Sequence, residues 1–431
     1  METVCDFFDV VVVGAGPAGG HCARKLSQLG HRVLLIERYK DFNVNSFSSS
    51  GTPNETLTKY QIPESVVGSF WNEISIVTSN QTGKWRSPKI QGSVLDFAKL
   101  RSFLADETTS HGGELWLNCL YVSHKTIIDQ TIDKTKGDRV MVYVRHHRTD
   151  VIIEARLLVD ATGPNRSVMY ANPKDQPELI TGTGVEFLIE VDDEAYDRSA
   201  NALTFFLGYK WMPKGYSWIF PMGNRQLKVG AGIVNLEHEF VKEMQPLKHY
   251  IQLIIDEYIK PKHYSIIERH GGTVRYSLGL KDKYVEGSVI AIGDAVSTIN
   301  FLGGEGIRHA MQSSEIAAKY IDRYLNKRVQ NFEGYQQEMH QVFLKSWTIS
   351  EKLGLKKYLA DSDRLVDRVV NYLRPLKLED VVDILFYYKF EKASKGLRYY
   401  LWRKLRSVLG KVFKKVRSYL LPLKSNKLKI K

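Results

Sequence analysis

Hydrophobic positions between residues 11 and 37 change spacing twice, and this change predicts a strand, a helix and a second strand. A short apolar run at 11–13 enters the glycine-rich segment GAGPAG at 14–19, a helical pattern follows, and a second apolar run at 33–36 ends in Glu37. In such a unit the glycines permit a tight turn, let a pyrophosphate approach the backbone and let the helix pack closely on the strand. The pattern therefore predicts that a dinucleotide is bound at the helix N-terminus by Gly14, Ala15, Gly16, Pro17, Ala18 and Gly19.

The end of the second predicted strand indicates which dinucleotides fit. Glu37 stands where its carboxylate can accept hydrogen bonds from an adenosine ribose, and Arg38 follows it directly. A 2′-phosphate at this position would meet a negative charge, so FAD or NAD is favoured over NADP. We therefore expect Glu37 and Arg38 at the adenosine end of the site.

Two later segments favour FAD. An apolar run ends in Gly293-Asp294-Ala295 and leads through a glycine-rich loop into an amphipathic helix, and an earlier run reads LLVDATG at 157–163. Both resemble FAD-binding segments of the glutathione-reductase-like flavoproteins. The resemblance implies a tightly bound FAD, with Asp294 at its ribityl-phosphate part and the helix N-terminus directed at the flavin, where its dipole would stabilise negative charge. The additional expected cofactor contacts are Ala161, Gly163, Gly304, Gly306 and Ile307.

The order of these segments predicts the fold class and its domains. We expect an α/β protein with a discontinuous Rossmann-like FAD-binding domain, an inserted antiparallel β-sheet substrate domain and a C-terminal helical region. The predicted FAD-binding domain comprises residues 1–44, 93–169 and 279–325; the substrate domain 45–92 and 170–278; the helical region 326–391; and a basic tail 392–431. Within the first domain we expect a helix at 95–107, a strand at 114–122, and paired strands at 141–144 and 151–154 around a turn at 146–150.

Length and composition agree with a cytoplasmic enzyme. The chain has 431 residues, enough for two domains with a substantial core. Its three cysteines are scattered at positions 5, 22 and 119, without a pattern typical of a disulfide framework or a metal site, so no metal is expected. No apolar stretch reads as a signal peptide or is long enough to span a bilayer.

Charge is concentrated at one end of the chain. The net charge is +13, yet residues 392–431 carry 14 Lys and Arg and no acid, leaving 47 basic against 48 acidic residues elsewhere. Apolar residues recur at helical spacing between 401 and 420, with basic residues between them. This pattern predicts a peripheral contact with an anionic membrane surface, while packing on the protein or on a partner is the alternative. The remainder of the chain is neutral and lacks a groove-reading motif, so nucleic acid is not expected as a partner.

The segment PKGYSWIFP at 213–221 carries the most specific chemical information. It resembles the PxxYxWxFP signature of the geranylgeranyl reductases, flavoenzymes that saturate isoprenoid double bonds, and the loop at 300–307 is similar to that family's loop beside the flavin. The resemblance covers residues 8–325 and implies an FAD-dependent oxidoreductase acting on an apolar, geranylgeranyl-type substrate. On a strand, Tyr216, Trp218 and Phe220 would share one face and could line a tunnel for the substrate.

Two departures mark the chain as a divergent member. The family often has a cysteine in the loop after the second strand, whereas residues 45–51 read NSFSSSG, so a mechanism that needs a thiol there is excluded. The family's usual arginine at the start of the following helix aligns with Phe97. Either Lys99 or Arg101 is then the candidate partner for the pyrophosphate.

Other functions remain open from sequence alone. Flavin-dependent halogenases and hydroxylases have a similar fold, and the halogenase segment WxWxIP is not far from YSWIFP. A non-enzymatic prenyl-lipid carrier, similar to the GDP-dissociation inhibitors, is a further alternative. For the reductase, the proton donor is open between Tyr216, Glu305 and a bound water, and the electron donor between NADPH and a redox protein. The segment VGAGI at 229–233 is expected to be a strand with small residues, because it lacks the third glycine and helix of a second nucleotide site.

Overall fold

The computed structural model describes residues 3–128, 138–235, 244–358, 363–398 and 406. Within these ranges the strands form two large sheets and one small sheet. The strands are β1 Thr3–Val13, β2 Val33–Ile36, β3 Gly51–Pro53, β4 Val67–Trp71, β5 Glu73–Val77, β6 Thr82–Arg86, β7 Gly92–Leu95, β8 Glu114–Trp116, β9 Cys119–Ile127, β10 Arg139–His146, β11 Thr149–Asp160, β12 Ile180–Val191, β13 Ala202–Gly208, β14 Met212–Pro221, β15 Gln226–Asn235, β16 Tyr264–Tyr276, β17 Val285–Glu286 and β18 Val289–Ala291.

Helices cover both large sheets. Several have an amphipathic pattern, with buried residues on the side that faces a sheet. The described α-helices are α1 Pro17–Gln28, α2 Glu55–Tyr60, α3 Phe97–Ser110, α4 Asp193–Asp197, α5 Leu247–Ile254, α6 Ile307–Leu325, α7 Glu333–Tyr358, α8 Asp363–Leu373 and α9 Leu378–Leu385.

The first large sheet contains the predicted dinucleotide-binding unit. Its central strands follow the order β17-β18-β11-β1-β2-β8, and β1 pairs in parallel with both β2 and β11. The four residues of β2 are all buried, as are residues 10–13 of β1, because a parallel sheet is covered on both faces. The hairpin of β9 and β10 extends this sheet by pairing with the first half of β11.

The second large sheet follows the order β16-β12-β15-β14-β13-β5-β6. Its strands pair antiparallel, as the sequence predicts for an inserted sheet, except for the parallel pair of β5 and β13. More than a hundred residues separate these two strands, so no local turn requires them to be antiparallel. The residues at 229–233 lie in the centre of β15. Strands β3, β7 and β4 form the small third sheet.

The C-terminal helices pack against both large sheets. Every fourth residue of α7 from Tyr335 to Trp347 is buried in the core of the first sheet. Helices α8 and α9 instead bury apolar side chains against the second sheet, where the indole nitrogen of Trp85 donates to the carbonyl of Leu373 at 3.0 Å. None of the described helices is both long and apolar enough to cross a membrane.

Three predicted elements differ in detail from the structure. Helix α3 begins at Phe97 rather than at residue 95, because Asp96 is its N-cap and accepts a hydrogen bond from the backbone of Lys99 at 3.1 Å. The strand predicted at 114–122 is broken into β8 and β9, with Asn118 in a left-handed conformation between them. The turn between β10 and β11 is shorter than predicted, since only residues 147 and 148 connect the strands, both with positive φ.

The predicted basic tail falls almost entirely outside the described residues. Of positions 392–431, the structure describes 392–398 and 406. The amphipathic pattern over 401–420 therefore stays a prediction.

A buried ion pair joins three separate segments around the first sheet. Arg166, which follows β11, lies 3.1 Å from Asp282 and donates to the hydroxyl of Ser297 at 2.9 Å. Both charged side chains are fully buried. Burial raises the pKa of Asp282, while the nearby guanidinium of Arg166 opposes this effect. The pair therefore fixes the loop after β11 against the segments that follow β16 and β18.

We expect the variant Arg166→Met to lose about 3–5 kcal/mol of unfolding free energy, because it leaves the Asp282 carboxylate buried without its counter-charge. Urea denaturation followed by circular dichroism measures this loss. The double variant Arg166→Met, Asp282→Leu removes both charges and should recover much of it. A single variant as stable as the wild type would contradict this role of the pair.

Candidate active site

A cavity of about 660 Å³ lies between the two large sheets. Residues from both sheets and from the loops beside them line it, including two aromatic residues of β14, Tyr216 and Trp218. Most of the residues expected to bind the cofactor also line it: Gly14, Gly16, Pro17, Ala18, Glu37, Arg38, Arg101, Ala161, Gly163, Asp294, Gly304, Gly306 and Ile307.

Ala15 and Gly19 have other positions. The backbone of Ala15 donates to Glu37 at 3.1 Å, and its carbonyl accepts from Arg101 at 3.2 Å. A Cβ on Gly19 would lie 1.8 Å from the carbonyl oxygen of Gly14. Gly19 therefore permits the close packing of α1 on the end of β1, which is the structural reason for the third glycine of the pattern.

Glu37 and Arg101 form a buried ion pair at the end of β2. The carboxylate of Glu37 accepts from Arg101 at 3.1 Å and from the backbone nitrogens of Ala15 and Tyr39, each at 3.1 Å. Arg101 also donates to the carbonyl of Val44 at 3.3 Å. These bonds hold two charged side chains rigidly at the cavity wall.

The structure distinguishes between the two candidate cations on α3. Arg101 lines the cavity and is 4% exposed, whereas Lys99 faces solvent beside Asp96. Phe97, which aligns with the family's arginine, also lines the cavity, and its ring centre lies 5.9 Å from the guanidinium carbon of Arg101. The positive charge that α3 places at the cavity is therefore at Arg101, one helical turn after the position that aligns with the family's arginine.

The cavity has the features required to hold FAD. Helix α1 begins at Pro17, directly after Gly16. A Cβ added to Gly16 would have no other atom within 4 Å, so a phosphate has space at this N-terminus. Asp294 is near the second N-terminus, that of α6, since a Cβ on the N-cap residue Gly306 would lie 3.7 Å from the Oδ1 of Asp294, and burial raises the pKa of this carboxyl. These residues would hold the pyrophosphate and ribityl parts, and the dipole of α6 would stabilise negative charge on the flavin.

The three aromatic residues on one face of β14 do not all line the cavity. Tyr216 donates from its hydroxyl to the carbonyl of Gly303 at 2.9 Å, beside the loop that precedes α6. Trp218 lines the same wall. Phe220 is buried behind them and packs edge-on against Phe205 at 5.4 Å. Phe220 therefore supports the wall and does not line the cavity.

Glu305 is held as a carboxylate away from the cavity wall. Burial alone would raise its pKa, but His309 and Arg308 outweigh that effect and lower the pKa of Glu305 to about 2. The Arg308 guanidinium donates to both carboxylate oxygens at 2.9 Å, and the Tyr388 hydroxyl donates at 3.1 Å. An acid ionised this firmly has no proton to give at neutral pH, which leaves Tyr216 or a water from the candidate donors.

Comparison with known proteins agrees with this geometry. A sequence model of FAD-dependent oxidoreductases matches residues 9–171, and a model of the geranylgeranyl reductase catalytic domain matches residues 184–274, which include the aromatic segment of β14. Digeranylgeranylglycerophospholipid reductase from Haloferax volcanii is 28% identical over 334 residues, covering 74% of this chain and 77% of the relative. The two models and this relative support an FAD-dependent oxidoreductase of the geranylgeranyl reductase type.

Solved structures share the fold of this chain. A geranylgeranyl bacteriochlorophyll reductase-like protein from Thermoplasma acidophilum superposes with a TM-score of 0.76 at 21% identity, covering 91% of this chain and 96% of that one. A flavin-dependent brominase superposes with a TM-score of 0.61 at 16% identity, covering 85% and 92%. At these identities the likeness concerns the fold alone.

Sequence patterns did not reveal one cation near the aromatic wall. The ammonium of Lys357, near the end of α7, lies 4.8 Å from the ring centre of Tyr216 and 4.7 Å from that of Tyr358. Burial lowers the pKa of Lys357 to about 7. Nothing in the helical pattern of α7 separates this lysine from its neighbours, because only the tertiary packing of α7 near β14 brings it there.

We expect the variant Arg101→Met to bind FAD roughly tenfold to a hundredfold more weakly, because a charged hydrogen-bond donor is lost and the Glu37 carboxylate is left without its counter-charge. Titration of the apoprotein with FAD, followed by flavin fluorescence, measures the dissociation constant. Lys99→Met is the matched control on the same helix and should bind like the wild type. Equal affinities of the two variants would show that Arg101 has no part in cofactor binding.

Proposed function

We propose that this chain saturates carbon–carbon double bonds of a geranylgeranyl-type isoprenoid lipid, with tightly bound FAD as its redox cofactor. The observation that carries the proposal is that Tyr216 and Trp218 line the same cavity as the FAD-binding segments. An apolar chain lying along this wall would be next to a flavin held at the α6 N-terminus. The Haloferax relative, named for a digeranylgeranylglycerophospholipid, supports a lipid substrate with geranylgeranyl chains.

When bound and reduced, FAD supplies a hydride from its N5 position. The chain's own residues contribute the surroundings. The α6 N-terminus stabilises negative charge near the flavin, and the aromatic wall keeps water away from the reacting carbons. The alkene also needs a proton, for which the hydroxyl of Tyr216 and a water are the candidates. Burial raises the pKa of Tyr216 to about 12, so the hydroxyl keeps its proton at neutral pH.

Lys357 extends this proposal. Its ammonium lies 4.8 Å from the ring centre of Tyr216. A cation over an aromatic ring is attracted to the negative face of that ring. Lys357 is thus placed to keep the Tyr216 ring fixed against the loop at Gly303. The electron donor that reduces the flavin is proposed to be NADPH or a redox protein.

We expect the holoenzyme, reduced anaerobically with dithionite and incubated with a geranylgeranyl lipid, to add two hydrogens to each double bond that it saturates. Mass spectrometry of the extracted lipid measures this gain, and oxidised holoenzyme without reductant is the control. A second arm with NADPH in place of dithionite tests that donor. Unchanged lipid in the presence of visibly reduced flavin would refute the reductase proposal, and oxygen- or halide-dependent products would support the halogenase or monooxygenase alternative.

We also propose that the basic tail at 392–431 brings the protein to an anionic membrane surface, where a lipid substrate would be found. The support is compositional: 14 basic residues and no acid in forty positions, with apolar residues at helical spacing. Such a segment gains free energy both from apolar contact and from attraction to anionic headgroups. The charge-balanced remainder of the chain makes no comparable contribution.

We expect the full chain to float with phosphatidylserine-containing vesicles and not with phosphatidylcholine alone, with binding that weakens as salt is added. The triple variant Lys411→Gln, Lys414→Gln, Lys415→Gln should bind on the order of a hundredfold more weakly, since each of the three lost basic residues contributes about 1 kcal/mol near the surface. A matched control places the same charge change on the exposed body residues Lys89, Lys174 and Lys248. Equal loss in both variants would contradict a specific role of the tail.

A further inference from the structure

The face of the second sheet that borders the cavity has an ordered row of residues around Trp218. Across the strands, Trp218 pairs with Gly230, Gly230 with Glu186, and Glu186 with His270. Directly paired residues of neighbouring strands point to the same face. Trp218 and Glu186 are therefore on one side of the sheet, separated by a strand that has no side chain between them.

The adjacent row is almost free of side chains. Tyr216 pairs with Gly232, Gly232 with Gly184, and Gly184 with Gly272, and all four residues line the cavity. Strands β14, β15, β12 and β16 contribute one residue each. Backbone thus forms this part of the cavity floor, and the aromatic side chains beside it determine how much of the space is left.

The indole of Trp218 lies flat across this glycine surface. A Cβ on Gly230 would be 2.2 Å from the indole ring, so the ring occupies the place of that missing side chain. The ring atoms come within ordinary contact of a Cβ placed on Gly232 or Gly184, at 3.4 and 3.7 Å. At the far side of Gly230 the indole nitrogen donates to the carboxylate of Glu186 at 2.7 Å.

Glu186 is an unusual residue for this position. It is 3% exposed, and burial raises its pKa, while Lys228, Trp218 and His270 oppose the shift. Lys228 is also buried and donates to the carbonyls of Ser48 and Leu95 at 2.8 and 3.2 Å. A buried carboxylate costs free energy unless it is paired and hydrogen-bonded, and the bond to the indole is one of its compensations.

We propose that Glu186 is a positioning residue that holds the Trp218 indole flat on the glycine surface and thereby sets the clearance of the substrate slot. While the indole is hydrogen-bonded to Glu186, a narrow, methyl-branched lipid chain fits over the glycines. Without that hydrogen bond, the ring can turn into the slot and obstruct the lipid chain. That the slot holds a lipid chain of this kind rests on the proposed function, whereas the orientation of the indole does not.

Two substitutions at Glu186 separate the hydrogen bond from the charge. Glu186→Gln retains an oxygen acceptor for the indole, and Glu186→Leu removes it at similar volume. We expect Glu186→Leu to raise KM for the geranylgeranyl lipid roughly tenfold, the effect of losing a charged hydrogen bond, with a smaller change in kcat. Glu186→Gln should raise KM less than Glu186→Leu. FAD content and melting temperature, measured on the same samples, report any general loss of structure.

A readout independent of turnover is the hydrogen exchange of the Trp218 indole N–H in the FAD-bound protein. Its signal in a spectrum of ¹⁵N-tryptophan-labelled protein is identified by its absence in Trp218→Phe. Exchange should be slow in the wild type and in Glu186→Gln, and fast in Glu186→Leu. Slow exchange in a folded Glu186→Leu would overturn the proposal, as would equal KM values for the two variants.

If Glu186→Leu fails to fold, Gly230→Ala tests the same idea without altering a charge. Its methyl group displaces the indole from the sheet, so faster indole exchange and a raised KM are expected, and no change in either would count against the proposal. Failure of the wild type to reduce any lipid would refute the proposed function alone. In that event the exchange rates, together with lipid binding followed by the flavin absorbance, still decide the role of Glu186.

Discussion

The close approach of three chain segments at Gly14 is the constraint on which the site depends. A Cβ at Gly14 would lie 2.5 Å from the carbonyl oxygen of Ala161, and one at Gly19 would lie 1.8 Å from the carbonyl oxygen of Gly14. The ends of β1 and β11 and the first turn of α1 therefore meet without intervening side chains. As a result, the free backbone groups of α1 face the cavity at the point where β1 and β11 both end.

Buried charges then fix the loops around this point. Arg101 and Glu37 connect α3 with the end of β2, and Arg308 and Glu305 connect the start of α6 with the C-terminal segment through Tyr388. Each charge has a partner within hydrogen-bond distance, as burial requires. Glu37 and Arg101 line the cavity, and Glu305 lies in the chain between the cavity-lining residues Gly304 and Gly306. Charges as well as apolar packing therefore hold the loops at the cavity.

The local spacing of residues was sufficient to predict much of the fold, because a glycine-rich segment between two apolar runs is compatible with few structures other than a strand–helix–strand unit. The sequence also indicated an inserted sheet and the aromatic face of β14. Register across strands was not accessible in this way: that Glu186 lies opposite Gly230 follows from pairing over more than forty residues. The cation at Lys357 and the break at Asn118 likewise depend on tertiary packing and on a local backbone conformation that the periodicity does not encode.

The glycine floor of the second sheet has an evolutionary consequence. Glycine and alanine codons differ by a single base, and at Gly184 and Gly232 an added methyl group would meet its neighbours no closer than 3.4 Å. Such changes would narrow the cavity while leaving untouched the contacts of Gly14 and Glu37 at the first sheet and of Arg101 on α3. Single-base changes on the glycine floor can therefore alter the space in the cavity by small steps, while the close contacts around α1 keep their geometry.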